Sequence, residues 1–156
     1  MRSEPAPDLR PAAIVLVGGS ALLAGALAFE HLGGLVPCEM CMWQRWALAS
    51  ALGLATLGLV LRVRLLVGLG ALAVLVGAAI AGFHAGVEQK WWEGITACAA
   101  SPVGGSTTDI IGAVLSAPIV RCDAIPWSMW GLSMAAWNFV ISTVIGGYAL
   151  WRLKAA

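Results

Sequence analysis

Residues 65–83 read LLVGLGALAVLVGAAIAGF, an apolar stretch that contains no charged side chain. A helix needs about 20 apolar residues to cross the roughly 30 Å hydrocarbon core of a bilayer, and this stretch meets that need. Stretches of similar character lie at about 12–29, 43–61 and 127–151, and among these only 43–61 contains a charge, Arg45 close to its start. The sequence therefore predicts an all-α integral membrane protein, a bundle of four transmembrane helices that forms a single domain over residues 1–156.

The composition supports this fold class. Apolar residues make up 60% of the chain and charged residues 11%, whereas soluble domains average about 45–50% and 25%. A formal net charge of +1 removes the electrostatic argument for nucleic-acid binding.

One alternative concerns the first span, which could be a signal peptide, since Arg10 precedes it and Ala26-Leu27-Ala28 is similar to a small-residue cleavage site. Its apolar stretch is longer than a usual signal core, which favours a retained helix.

The distribution of positive residues predicts the orientation, because cytoplasmic loops carry an excess of Lys and Arg. One side of the predicted bundle carries six of them: Arg2, Arg10, Arg62, Arg64, Arg152 and Lys154. The other side carries three in two longer loops: Arg45, Lys90 and Arg121. Both termini are therefore predicted to be cytoplasmic, and the loops at 30–42 and 84–126 are predicted to face the outside of a bacterial inner membrane.

All four cysteines fall in these two outer loops. Cys38 and Cys41 lie in the first loop, and Cys98 and Cys122 lie in the second. The orientation was predicted from Lys and Arg alone, so this grouping is an independent sign that the loops face an oxidising compartment, where disulfides persist. Four cysteines allow three pairings. Cys38 and Cys41 are three apart at a predicted helix start and within bridging reach, and the other two would then close a larger loop.

Four cysteines have two alternative uses. Structural zinc would favour a second Cys-x-x-Cys pair, whereas the later pair here is widely spaced. Two inert structural disulfides are the other alternative. A Cys-x-x-Cys bridge closes a very short loop and stabilises a fold little by that route, so its spacing favours redox exchange.

The residues around the first pair favour a reactive thiolate. Pro37 cannot continue a helix backwards, so Cys41 is predicted to lie in or near the first turn of the second span. There the unpaired backbone N–H groups and the helix dipole stabilise a thiolate. Arg45 follows on the same face, about 6 Å deeper along the axis, and adds a fixed positive charge. Gln44 supplies a neutral hydrogen-bonding group nearby. An interface anchor is the simpler interpretation of Arg45.

The run Cys38-Glu39-Met40-Cys41-Met42-Trp43-Gln44-Arg45 resembles the DsbB family of bacterial disulfide-generating membrane proteins. A Cys-x-x-Cys-x-x-Gln-Arg element at the start of a span is specific, whereas a lone Cys-x-x-Cys is not. The likeness covers about the whole chain. It extends to these further features: His84-Ala85-Gly86-Val87-Glu88, the segment from Cys122 to Ser128, Gly131, Ser133, Trp137 and Asn138.

The resemblance implies a thiol:quinone oxidoreductase. Such a protein would reoxidise a soluble periplasmic thioredoxin-like, DsbA-like partner and pass the electrons to ubiquinone or menaquinone. It implies that Cys98 meets the partner and that Cys122 exchanges with Cys38. It also implies that Cys41 contacts the quinone with help from Arg45. No nucleic acid and no metal are expected.

Four side chains are predicted to bind the quinone: Cys41, Gln44, Arg45 and His84. A quinone that accepts electrons must also accept protons, so acid–base residues at the outer span ends could assist; these are His84, Glu88, Glu30 and His31. Ordinary interface residues are the alternative interpretation of this group.

The hydrophobic spacing in the second loop predicts a short membrane-surface helix over Thr108–Leu115, with simple loop packing as the alternative.

A rival family is the vitamin K epoxide reductase-like proteins, in which the loop pair precedes the Cys-x-x-Cys; here it follows. A rival class is a non-catalytic membrane scaffold or thiol-bearing transporter subunit, in which the cysteines would be dispensable.

Overall fold

A computed structural model describes residues 10–95 and 121–155 of the chain. Within them lie four helices, α1 (Arg10–His31), α2 (Glu39–Leu61), α3 (Arg64–Glu88) and α4 (Met134–Ala155). All four are long and apolar enough to cross a membrane. The prediction of an all-α protein with four spans is confirmed. Cys98 and the helix predicted over Thr108–Leu115 lie outside the described residues.

The four helices pack in a ring. α3 lies against α2 and α4, and α1 lies against the same two neighbours from the opposite side. The centre is made of small side chains, among them Ala51, Ala55, Ala71 and Ala149. Lipid tails are as apolar as leucine, so helices in a bilayer gain little free energy by burying apolar side chains against one another. Their association is stabilised instead by close van der Waals packing through small residues.

The most extensive helix contact is between α2 and α3. A Cβ placed on Gly70 would lie 3.0 Å from the backbone oxygen of Ala51, and one on Gly77 would lie 3.2 Å from the Cβ of Ala47. The two helices are joined by a tight turn at Arg62, whose φ of 57° is left-handed and whose N–H bonds back to the carbonyl of Gly58. This short connection and close contact fix the two helices side by side along their length.

α2 begins where the cysteine pair lies. Cys38 is the N-cap, and its sulfur accepts a hydrogen bond from the backbone N–H of Cys41 at 3.4 Å. Cys41 therefore lies in the first turn, as the sequence predicted. The apolar stretch itself was expected to begin only at Trp43, but the helix starts earlier because this capping bond satisfies one of its first N–H groups.

The last span does not start at Trp127, and this prediction was wrong. The chain first forms a small antiparallel hairpin of β1 (Ser128–Met129) and β2 (Leu132–Ser133). Its two turn residues, Trp130 and Gly131, have φ of 53° and 78°, the pattern of a tight hairpin turn. A helix cannot pass through two left-handed residues, so α4 begins after them. Apolar composition alone did not reveal the turn.

The pair Gly146 and Gly147 offers a test of the packing. A Cβ on Gly146 would lie 2.7 Å from Leu75 Cγ and 3.0 Å from the carbonyl oxygen of Ala71, whereas one on Gly147 would meet nothing within 4 Å. We expect Gly146→Ala to lower the free energy of unfolding by about 1–3 kcal/mol, the usual cost of overpacking. The neighbouring Gly147→Ala is the control and should be neutral or slightly stabilising, because alanine favours helix. Denaturant unfolding in detergent measures both, and equal effects would contradict the proposed α3–α4 contact.

Candidate functional site

Three cysteines come together at one end of the bundle, where α1 and α3 end and where α2 and α4 begin. We call this the cysteine end. The sulfurs of Cys38 and Cys41 are 3.2 Å apart. The side-chain donor atoms of Cys38, His84 and Cys122 all lie within 4.8 Å of one another. Cys122 comes from the segment before the hairpin, so the fold brings one member of the second predicted pair against the first pair.

The two sulfurs at the start of α2 are not equivalent. The Cys38 thiol donates its hydrogen bond to the Cys41 sulfur and is itself buried, and together these raise the pKa of Cys38 to about 12; a hydrogen bond from His84 opposes the rise. The Cys41 sulfur accepts that hydrogen bond beside the N-terminal end of a helix dipole. Negative charge in this pair is therefore better stabilised on Cys41 than on Cys38.

His84 lies behind the pair on α3 and is 3% exposed. Its Nε2 is 3.6 Å from the Cys38 sulfur, and its Nδ1 is 3.1 Å from Nε2 of Gln44. Gln44 accepts a hydrogen bond from Asn138 on α4 at 2.6 Å, and Asn138 accepts one from Ser142 at 2.9 Å. This polar chain links α2, α3 and α4 inside the bundle, where unsatisfied polar groups are costly.

Glu88 lies one helical turn beyond His84 and is also buried. Its Oε1 is 3.9 Å from the Nε2 of His84, and its other oxygen accepts a short hydrogen bond from the Ser133 hydroxyl. The hydroxyl oxygen of Ser133 also accepts the backbone N–H of Ala136, at 3.2 Å. The carboxylate thus joins the end of α3 to the start of α4, close to the histidine.

Arg45 lies on a different side of α2. Its guanidinium forms an ion pair with Glu30 and donates a hydrogen bond to the carbonyl oxygen of Ala26 at 3.0 Å. Both acceptors belong to α1. Gln44 and Arg45 are adjacent in sequence but point in different directions, Gln44 into the bundle and Arg45 into the groove between α1 and α2.

The predicted site residues thus form two groups. Cys38, Cys41, Cys122 and His84 lie together, with Gln44 behind them; Arg45 stands one turn from Cys41 on the α1 side. The contact between Glu88 and Ser133 was not predicted. The separate approach of Glu88 to His84 did have a sequence signal, since the two residues are four apart and share a helix face.

A surface clamp holds the Cys122 segment in place. Asp123 accepts two hydrogen bonds from Arg121, at 2.8 and 2.7 Å, and one from Lys90 Nζ at 2.5 Å. These two cations hold the pKa of Asp123 well below its usual range. Lys90 follows the end of α3, so the clamp ties the residue after Cys122 to the helix that carries His84.

Comparisons with known proteins agree with this geometry. The family described as Disulfide bond formation protein DsbB matches residues 10–152 of this sequence. The chain belongs to the DsbB family. It is therefore a multi-pass membrane protein of disulfide bond formation, and the family supports disulfide oxidoreductase activity.

Curated DsbB relatives resemble nearly the full length of the chain. The Disulfide bond formation protein B of Verminephrobacter eiseniae is 33% identical over 150 residues, covering 88% of this chain and 81% of the relative. That of Polaromonas naphthalenivorans is 32% identical, covering 88% and 86%. That of Methylococcus capsulatus is 33% identical, covering 84% and 85%. No solved structure matches this chain.

The convergence of Cys38, His84 and Cys122 would also suit a metal ion by geometry alone. Membership of the DsbB family favours disulfide chemistry over metal binding at this end of the bundle. Thiol–disulfide exchange needs an attacking sulfur close to a bridged one, and the contacts at the cysteine end supply that proximity.

The pKa of Cys38 gives a direct prediction. A group whose pKa is about 12 stays protonated at neutral pH, so alkylation of Cys38 by iodoacetamide in the reduced protein should rise about tenfold per pH unit up to pH 10 without levelling. Removing the acceptor sulfur with Cys41→Ala should bring the inflection down toward the usual range. Mass-spectrometric mapping at each pH measures both, and an inflection near pH 8–9 in the unsubstituted protein would contradict the predicted hydrogen bond.

Proposed function

We propose that this protein is a thiol:quinone oxidoreductase that reoxidises a soluble, thioredoxin-like dithiol partner of the DsbA kind and passes the electrons to a membrane quinone. The observation that carries the proposal is the meeting of Cys122 with Cys38 and Cys41 at one end of the bundle. A disulfide made or broken in the second loop can thereby be exchanged with a pair at the start of a transmembrane helix.

The proposed orientation places this cysteine end in the periplasm, with both termini in the cytoplasm. The distribution of Lys and Arg supports it. The short Arg62 turn and the C-terminal Arg152 and Lys154 lie at the opposite end of the helices from the cysteines. A soluble thiol partner would then meet Cys98 and Cys122 from the periplasm.

The residues next to Cys41 fit a quinone. A quinone offers carbonyl oxygens that accept hydrogen bonds, and when bound it would supply an acceptor for two electrons and two protons. Arg45 places its guanidinium N–H groups between α1 and α2, one helical turn from Cys41, where they bond Glu30 and the carbonyl of Ala26. We propose that Arg45 and Cys41 hold the ring, and that the other two predicted quinone ligands, Gln44 and His84, support them from inside the bundle. Ubiquinone and menaquinone both offer these carbonyls.

In this scheme Cys41 is the electron-donating thiolate. Its place in the first turn of α2, the thiol hydrogen bond from Cys38 and the nearby Arg45 charge all stabilise a negative sulfur. The Cys38 sulfur is 3.2 Å from that of Cys41 and within 4.8 Å of that of Cys122, so we propose it as the sulfur through which the two pairs exchange. Cys98 would receive the partner's thiolate.

A turnover assay tests the proposal. Purified protein, a reduced DsbA-like partner and a soluble ubiquinone analogue are mixed, and quinone reduction is followed by absorbance. We expect turnover, and we expect Cys41→Ser to reduce it to background because the electron-donating sulfur is gone. Met42→Leu, a volume-conserving change at the next, partly exposed residue, is the control and should keep near-normal turnover. Full activity in Cys41→Ser would refute the mechanism.

The orientation has a separate test. A membrane-impermeant maleimide should label Cys98 in intact spheroplasts, in a variant that retains only this cysteine, because the second loop is proposed to face the periplasm. A single cysteine placed at Val63, in the turn between α2 and α3, is the matched control and should react only after the membrane is opened. The reverse labelling pattern would overturn the proposed topology.

A further inference from the structure

The Nε2 atom of His84 stands between two groups that can give or take a proton. It is 3.6 Å from the sulfur of Cys38 and 3.9 Å from Oε1 of Glu88. The sulfur of Cys122 lies within 4.8 Å of the same cluster. The other ring nitrogen, Nδ1, is held by Gln44 at 3.1 Å. One nitrogen is thus anchored, and the other faces the sulfurs that must exchange.

His84 Nε2 is within hydrogen-bond distance of the Cys38 sulfur, and the Glu88 carboxylate lies just beyond that distance. The imidazole also bonds the backbone of Cys122. One ring therefore contacts both residues that would exchange and has a carboxylate beside it, which is the placement that an acid–base residue needs. Burial of all three side chains also removes competing water: exposure is 7% for Cys38, 3% for His84 and 6% for Glu88.

We propose that His84 is the acid–base residue for disulfide exchange between Cys122 and Cys38, with Gln44 and Glu88 as its positioning residues. The inference rests on the proposed function only in that the two cysteine pairs exchange. It does not depend on which quinone, or which partner, is used.

The step balances within the chain. Nε2 of His84 takes the proton from the Cys122 thiol, and the resulting thiolate attacks the Cys38 sulfur of a Cys38–Cys41 disulfide. The Cys38–Cys122 bond forms, the Cys38–Cys41 bond breaks, and Cys41 leaves with the electron pair. Cys122 is oxidised and Cys41 is reduced, while the proton stays on His84. The negative charge has moved to the helix start near Arg45, where it is best stabilised.

The anchoring residues have distinct tasks. The Gln44 side-chain amide can rotate so that its oxygen accepts a hydrogen bond from Nδ1–H of His84. Nε2 is then unprotonated and can take a proton. The Asn138 amide, which bonds Gln44, can turn with it. The Glu88 carboxylate balances the imidazolium once it forms. The titratable and charged groups facing His84 come from every neighbour: Cys38 and Cys41 at α2, Glu88 on α3, Cys122 from the loop segment, and beyond Cys41 the Arg45–Glu30 pair shared with α1.

The exchange can be followed without any quinone. Fully oxidised protein receives one equivalent of dithiothreitol, which opens the Cys98–Cys122 pair, and samples are quenched with acid and alkylated. Mass spectrometry then measures how fast the new thiol moves from Cys122 to Cys41, between pH 5.5 and 10. Cys122→Ser gives the background, because any Cys41 thiol that it shows arises from direct reduction.

His84→Gln should slow this transfer about 100-fold at pH 7, the usual contribution of a general base. The deficit should shrink as the pH rises, because solvent hydroxide then ionises Cys122 without help. Thr143→Val is the control and should match the unsubstituted protein, since the Thr143 hydroxyl bonds the carbonyl of Phe139 in its own helix.

Glu88→Gln keeps the shape of the side chain and removes its charge. It therefore tests the acid–base role of His84 even if His84→Gln fails to fold. Without the carboxylate the imidazolium is less stabilised, and neutral His84 persists to lower pH. The rising limb of the pH–rate profile should therefore move down by about one pH unit. A deficit in His84→Gln that is equal at every pH, or an unmoved midpoint in Glu88→Gln, would overturn the inference. If instead the unsubstituted protein exchanges its disulfides but reduces no quinone, the proposed function fails and the inference stands.

Discussion

The close packing of α2 on α3 is the contact on which the rest of the cysteine end depends. It is made possible by small residues, with Gly70 against the backbone at Ala51 and Gly77 against Ala47. Because these backbones approach so closely, the first turns of α2 lie directly against the last turns of α3. Cys38 then contacts Nε2 of His84, and Gln44 contacts Nδ1 of the same ring.

The bilayer imposes the second constraint, that polar groups inside it must satisfy one another. This explains why the polar residues of the cysteine end form linked sets. Gln44, Asn138 and Ser142 form one chain, and Glu88 with Ser133 forms a second contact beside it. The charge of Arg45 is neutralised separately, by an ion pair with Glu30 on α1. The same side chains that satisfy one another inside the bundle also surround the sulfurs that we propose to react.

Much of this arrangement could be predicted from the sequence. Four long apolar stretches predict four spans, and Cys38, Cys41 and Arg45 predict a reactive pair at a helix start, because both signals are local. The start of the last helix could not be predicted, since Trp130 and Gly131 turn the chain within an otherwise apolar run. Nor could the opposite directions of Gln44 and Arg45, because these depend on which neighbouring helix each side of α2 meets. The contact of Glu88 with Ser133 joins residues far apart in sequence, and spacing carries no information about it.

The central claim is that Cys122 and Cys38 meet, so that the two cysteine pairs act as one path. A double variant, Cys41→Ser with Cys98→Ser, leaves only these two cysteines in the chain. Exposed to a mild oxidant in detergent at low protein concentration, it should form the Cys38–Cys122 disulfide within each molecule and nearly to completion, as read by intact mass and mapped peptides. Two thiols that stay reduced, or that bridge only between molecules, would contradict the account.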